Sequence, residues 1–288
     1  MAGYAVMPED RFKATPLYAV PIFATLLVSI SCAFLIAQAG LDLPQLPLLP
    51  EAGSGPLLNA LLFVLATGLA ATVMYLLLKR RVHLFLRLLM GTAFSVLSFL
   101  LVIFYSEFLL AITNLAVPFA LTLVVALLVA AAVVFEILVR KGRLYGVIVL
   151  AFGGAAGTLL GSSIPDLSAV LILVLMAAYD VVAVYRGPVG KIAAVGVEHL
   201  PGTSFSFKDV NVGLGDLVFY SMLVSRMFLS FGWGTCIAAT LGVLTGSFLS
   251  FKMVEKRGMF PGLPFSVALG LLASLVTVLA GGFSLLSP

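Results

Sequence analysis

Charge is scarce in this chain. Only 10% of its 288 residues are Asp, Glu, Lys or Arg, where an ordinary soluble domain carries about 25%. Apolar residues reach 62% against roughly 45–50%, more than a soluble fold of this length can hide. Cysteine is nearly missing: Cys32 and Cys236 both fall in apolar stretches, which suggests neither a disulfide framework nor a metal site and leaves two small packing residues. Histidine is limited to His83 and His199, in or beside polar connections. A His-Glu-x-x-His metalloprotease and an intramembrane serine–histidine dyad are therefore disfavoured. The net charge of +4 sits in short clusters between apolar runs, not on a continuous basic face, so no nucleic-acid partner is expected. There is no fixed-period repeat, low-complexity tract or separate soluble domain.

What the chain has in abundance is long apolar runs. They fall at about 17–40, 56–78, 88–110, 115–138, 144–164, 167–185, 213–231, 234–251 and 261–282, each sized to cross ~30 Å of hydrocarbon. The first follows Arg11 and Lys13 and, at about 24 residues, is too long for a signal-peptide core, so it reads as a retained helix. Pro118 is positioned to kink the fourth. The expected fold is all-α: a multi-pass protein of the cell membrane with nine transmembrane helices in a single membrane domain, 1–288. Helices one to five occupy about 1–164, and helices six to nine, with the connection 186–212, occupy 165–288.

Cytoplasmic loops collect Lys and Arg, and here every second connection is basic. The N-terminus carries Arg11 and Lys13. The later basic connections carry Lys79, Arg80, Arg81 and Arg87; Arg140, Lys141 and Arg143; Arg186, Lys191 and Lys208; and Lys252, Lys256 and Arg257. Of the 16 basic residues only Arg226 departs from this pattern; it is expected to snorkel or pair near the outer surface. The orientation that follows is N-terminus cytoplasmic, C-terminus outside. Residues 41–55 then form an extended or interfacial outer segment. Within 186–212, the run from Thr203 to Val212 alternates polar and apolar residues, as a half-buried strand does.

Nearly all of the 12 acidic residues sit at helix ends or in loops, Glu107 and Glu136 among them, where water reaches them. Asp180 and Asp216 do not. A charge inside hydrocarbon costs at least ~2.5–3.5 kcal/mol, so such a residue marks function. Asp180 lies six residues before Arg186, or ~9 Å along the helix, and Asp216 eight residues after Lys208. Both are at a similar depth on consecutive antiparallel helices, so they can meet. Two carboxyls close together in a low dielectric do not both ionise readily, which supplies an acid and a base from one residue type. The charged member can activate water and the protonated one can donate to a scissile carbonyl. This chemistry needs no cofactor or metal.

The surroundings suit it. Gly213-Leu-Gly-Asp216 opens the seventh segment with two glycines that leave room beside the carboxylate. Tyr179 precedes the first aspartate as a packing or hydrogen-bonding neighbour. Pro261-Gly-Leu-Pro264, with Gly262 and Leu263 between two prolines, forces irregular backbone at the membrane edge. Intramembrane carboxylates beside broken helices also serve proton or cation relays in transporters, and Gly-x-Gly-Asp also occurs in prepilin-type peptidases.

Taken in order, Tyr179-Asp180, Gly213-Leu-Gly-Asp216 and Pro261-Gly-Leu-Pro264 resemble the signatures of the presenilin and signal peptide peptidase family, particularly its archaeal presenilin homologues. The stretch Tyr179–Arg186 adds to the resemblance. The architecture matches over the whole chain, but the specific motifs all lie in the last four helices. The resemblance implies an intramembrane aspartyl protease with Asp180 and Asp216 catalytic and Pro261, Gly262, Leu263 and Pro264 shaping the site. The cytoplasmic N-terminus matches presenilin orientation, opposite to signal peptide peptidase. One departure stands out: the family's usual Pro-Ala-Leu reads Pro-Gly-Leu here. The implied partners are single-pass transmembrane substrates and the bilayer, with a homo-oligomer left open. A strand at 203–212, through Phe205, Phe207, Val210 and Val212, would offer an edge to unwound substrate, although an amphipathic surface loop fits the same pattern.

Overall fold

The computed structural model describes residues 13–41, 45, 49–80, 82–140, 142, 144–186, 204–207, 210–257 and 260–281. Arg11, Arg81, Lys141, Arg143, Lys191, His199 and Lys208 lie outside them, as do the side chains of His83, Phe205, Phe207, Val210 and Arg257.

A 3-10 turn at Pro16–Ala19 leads into α1 (Val20–Ala39). It is followed by α2 (Gly55–Lys79), α3 (His83–Thr113) and α4 (Phe119–Phe135), whose last turn loosens into a π-helical turn at Glu136–Arg140. Next come α5 (Leu144–Ser163) and α6 (Asp166–Tyr185). Two short strands, β1 (Ser204–Phe207) and β2 (Val210–Gly213), precede α7 (Leu214–Arg257) and α8 (Leu263–Leu279). Seven of these helices are long and apolar enough to cross a bilayer, and Leu263–Leu279 is a shorter apolar helix. The chain is a helical, multi-pass integral membrane protein.

Proline marks the helix starts. It stands in the first two positions of α1, α2 and α8 and at the N-cap of α4 and α6, where its missing N–H costs nothing. Pro118 therefore begins α4 instead of kinking it, and Asn114, at φ 51, ends α3. The segments predicted at 213–231 and 234–251 lie in one element, α7, broken at Gly232 with φ 76 and ψ −168, a conformation only glycine adopts readily. Tyr220 before the break and Ser250 after it both reach the carbonyl of Gly262, so the two halves of α7 fold back on each other. The period-two stretch forms a hairpin, not one strand: β1 and β2 pair antiparallel with Phe205 opposite Val212 and Phe207 opposite Val210.

Two apolar clusters hold the bundle. One joins α1, α6, α7 and α8 through Ile22, Leu26, Ile172, Leu173, Leu223 and Val267. The other joins α2, α3 and α5 through Leu78, Leu86, Phe94 and Phe152. Leucines on the outer helices are bare, Leu69 at 67% exposure, as expected of side chains that meet lipid. Glu136, expected to be wetted, is buried; it accepts the Gly142 amide at 3.0 Å and faces Arg140 at 3.8 Å. Burial is tolerable there because the carboxylate satisfies a helix-end donor.

Where α5 crosses α1 and α7, small residues replace large ones. A Cβ on Gly157 would stand 2.3 Å from the Val218 carbonyl oxygen and 2.4 Å from Ser221 Cβ, so the helices touch backbone to backbone. Hydroxyls seal the seam: Ser29 Oγ lies 2.8 Å from Thr158 Oγ1 and donates to the Ser221 carbonyl at 3.0 Å. Close approach with interhelical hydrogen bonds is how helices associate in lipid, where no hydrophobic force separates helix from tail. Gly157→Val should therefore pry α5 from α7 and cost about 1–3 kcal/mol. Thermal unfolding in detergent should show a clearly lowered midpoint.

Candidate active site

Asp180 sits one and a half turns from the end of α6, and Asp216 in the first turn of α7. Helix α6 starts after Pro165 and is fixed at that end by Asp166, which takes hydrogen bonds from Arg226 and Ser230 of α7. Arg226 also donates to the Gly161 carbonyl at 3.2 Å. Of the two readings for Arg226, pairing is the one realised. Its partner is far from both aspartates along the chain and along the helices.

Both half-buried carboxyls converge on the backbone before α8. The Leu263 amide donates to Asp180 Oδ2 at 3.1 Å, and the Gly262 amide also faces this carboxyl. On the other side, a Cβ built on Gly262 would lie 2.6 Å from Asp216 Oδ2 and 3.1 Å from its Cγ. Residues 262–263 therefore touch both acids, which are close enough to interact electrostatically. Backbone at 260–262 is not helical and Leu263 opens α8, so the irregular segment expected between the prolines ends at Gly262. Pro261 and Leu263 are buried, and Pro264 falls in α8's first turn.

The remaining predicted positions divide. A Cβ on Gly213 would make ordinary contact with Asp216 Oδ2 at 3.6 Å, and one on Gly215 would meet nothing within 4 Å. Among the described residues, nothing crowds the position a Gly215 side chain would take. Tyr179 leans on α2: a Cβ at Gly68 would be 3.4 Å from its ring and 3.6 Å from its hydroxyl, which is buried and has no hydrogen-bond partner among the described residues. Val212, in β2, is buried in the main apolar cluster. Among the described residues, no three His, Cys, Asp or Glu side chains cluster as metal ligands would.

Three hydroxyls escaped the sequence reading. Tyr220, Ser266 and Ser250 all donate to the Gly262 carbonyl, at 3.0, 3.2 and 3.4 Å. Two carry a detectable signal, since Tyr220 follows Asp216, and Ser266 follows Gly262, by one helical turn of four. Alanine at 262 should be absorbed by a shift of the Asp216 side chain, for under about 1 kcal/mol. The branched side chain of Gly262→Val should also strike the Tyr220 hydroxyl, 3.3 Å from the glycine's Cβ position, and cost about 1–3 kcal/mol. Parallel melting curves of the two variants check this ordering.

Residues 194–280 match the family profile described as Presenilin. Presenilin-B of Dictyostelium discoideum is 33% identical over 122 residues, covering 38% of this chain and 25% of the relative. Presenilin sel-12 of Caenorhabditis elegans is 37% identical over 67 residues, 23% of this chain and 15% of the relative. This chain thus spans a quarter or less of the length of these curated relatives. Two solved structures of a presenilin family intramembrane aspartate protease share its fold. The C222 crystal form gives a TM-score of 0.63 at 21% identity over 92% of this chain and 100% of that one. The P2 form gives 0.62 at 23% over 91% and 96%. In sequence over residues 194–280 and in fold over nearly its whole length, this chain is similar to presenilin-family proteins.

Proposed function

We propose that this protein is an intramembrane aspartyl endopeptidase that hydrolyses peptide bonds in the transmembrane helices of single-pass membrane proteins. The observation that carries this reading is the convergence of Asp180 and Asp216 on the Gly262–Leu263 backbone, in a chain of presenilin fold. One carboxylate takes a proton from water as the oxygen attacks the scissile carbonyl. The other, protonated, gives its proton to the carbonyl oxygen, forming a gem-diol. Collapse breaks the C–N bond, the nitrogen takes a proton from the pair, and a carboxylic acid and an amine leave.

In this reading residues 1–288 form one membrane domain that crosses the bilayer nine times, the halves of α7 counting separately, with the N-terminus cytoplasmic and the C-terminus outside. The basic connections support that orientation. So does the Ala14 amide, which donates to Glu255 at 3.0 Å and sets the N-terminal segment beside the end of α7 assigned to the same side.

Substrate enters as a helix whose peptide bonds are shielded by its own turns, so it must unwind before cleavage. Each strand of the β1–β2 pair has one edge unpaired among the described residues, and β2 ends three residues before Asp216. Such an edge can pair with freed substrate backbone and offset the lost helical bonds.

Asp180→Asn and Asp216→Asn should each lower cleavage of a single-pass substrate in detergent by roughly a thousandfold or more while the protein still folds. Robust turnover by both would reject the assignment, and substrate flux into liposomes in place of cleavage would favour a transporter. Val210→Pro removes a backbone donor from the hairpin and should cut cleavage about tenfold, ~1.4 kcal/mol of barrier, with the melting midpoint little changed. Unaltered cleavage would discard the strand-edge role.

A further inference from the structure

The peptide unit between Gly262 and Leu263 is hydrogen-bonded at both ends. Its N–H donates to Asp180 Oδ2 at 3.1 Å, and its carbonyl accepts Tyr220 Oη at 3.0 Å, Ser266 Oγ at 3.2 Å and Ser250 Oγ at 3.4 Å. A carbonyl oxygen has two lone pairs for these three donors. Ser250 is the most distant. Ser266 reaches back to the residue four before it, a local bond that helical serines make wherever they stand. Tyr220 therefore supplies the shortest bond to this carbonyl, and it does so from a different helix.

Position and burial sharpen the point. Tyr220 is 2% exposed and lies one helical turn after Asp216, on the same face of α7. One turn of α7 thus presents a carboxyl beside residue 262 and grips the carbonyl of the same residue. A phenylalanine would fill the same volume without burying a hydroxyl, whose desolvation is offset only if it finds an acceptor. A donor on the carbonyl side also polarises the peptide and strengthens its N–H as a donor.

We propose that Tyr220 is a positioning residue: through the Gly262–Leu263 peptide it orients the Asp180 carboxyl toward Asp216. The link runs from α7 through the Tyr220 hydroxyl and the peptide plane to Asp180 on α6. It makes the alignment of two acids on separate helices depend on one hydroxyl that is not itself a reacting group. The proposal rests on the protease reading for its kinetic consequence, but the coupling between Tyr220 and Asp180 is a property of the fold and can be measured without turnover.

Tyr220→Phe keeps the ring and removes the bond. In the full-length protein with a single-pass substrate, kcat should fall about ten- to a hundredfold, the scale of a small misplacement of reacting groups, with KM held within about twofold. A merely structural tyrosine would leave kcat unmoved once the ring is restored. The second arm is a double-mutant cycle on melting midpoints with Asp180→Ala. Loss of the acceptor should shrink the effect of Tyr220→Phe, so that the double variant melts above the midpoint that adding the two single shifts gives. An unchanged kcat in Tyr220→Phe, or strictly additive midpoint shifts, overturns the proposal. If the wild-type protein cleaves nothing, the protease reading fails while the cycle still decides whether Tyr220 and Asp180 are coupled.

Discussion

Two acids on different helices cannot be held together in a membrane by their own attraction, because they repel when charged. The structure resolves this with backbone. The Gly262–Leu263 peptide donates to Asp180 and lies against Asp216, whose Oδ2 is 2.6 Å from where a Cβ on Gly262 would stand. Gly262 caps α8 and Leu263 opens it, so their amides have no partner within the helix and are free to face a side chain. Gly232 serves the same end from the far side of the bundle. By folding α7 back on itself, it returns the chain to the level of Asp216 just before this segment begins.

Polar contacts elsewhere set the frame in which that convergence is possible. Asp166, Arg226 and Ser230 lock α6 to α7 at the end away from Asp180 and Asp216. Ser29, Thr158 and the Ser221 carbonyl lock α1, α5 and α7 in the middle. Each bond satisfies a group that would otherwise stand bare in hydrocarbon, so placing polar residues and fixing helix geometry are one task. The outer faces of α2, α3 and α4 are left to leucine and valine, which define the lipid boundary and little else.

Much of this was legible in the sequence because the bilayer simplifies the code. Apolar run length alone located the helices to within a few residues, and two carboxyls in such runs stood out by their cost. What stayed hidden depends on three-dimensional return paths. Glu136 was expected in water because it lies near a helix end, yet a π-helical turn folds the chain over it. The alternation at 203–212 announced a strand but not that Ser204–Phe207 and Val210–Gly213 pair antiparallel with each other. Tyr220, Ser250 and Ser266 look like unremarkable helix residues until Gly262 brings one carbonyl within reach of all three. The Pro-Gly-Leu-Pro run was visible, but not that Gly262 stands against Asp216.

The central claim is that Asp180 and Asp216 work as one unit that must hold a single proton between them. The pH dependence of kcat/KM for cleavage of a single-pass substrate tests it most directly. Activity should rise and then fall as pH increases, because the pair is inactive both with two protons and with none. A rate that stays level, or keeps climbing into the alkaline range, would mean that no shared proton is required and would contradict the account.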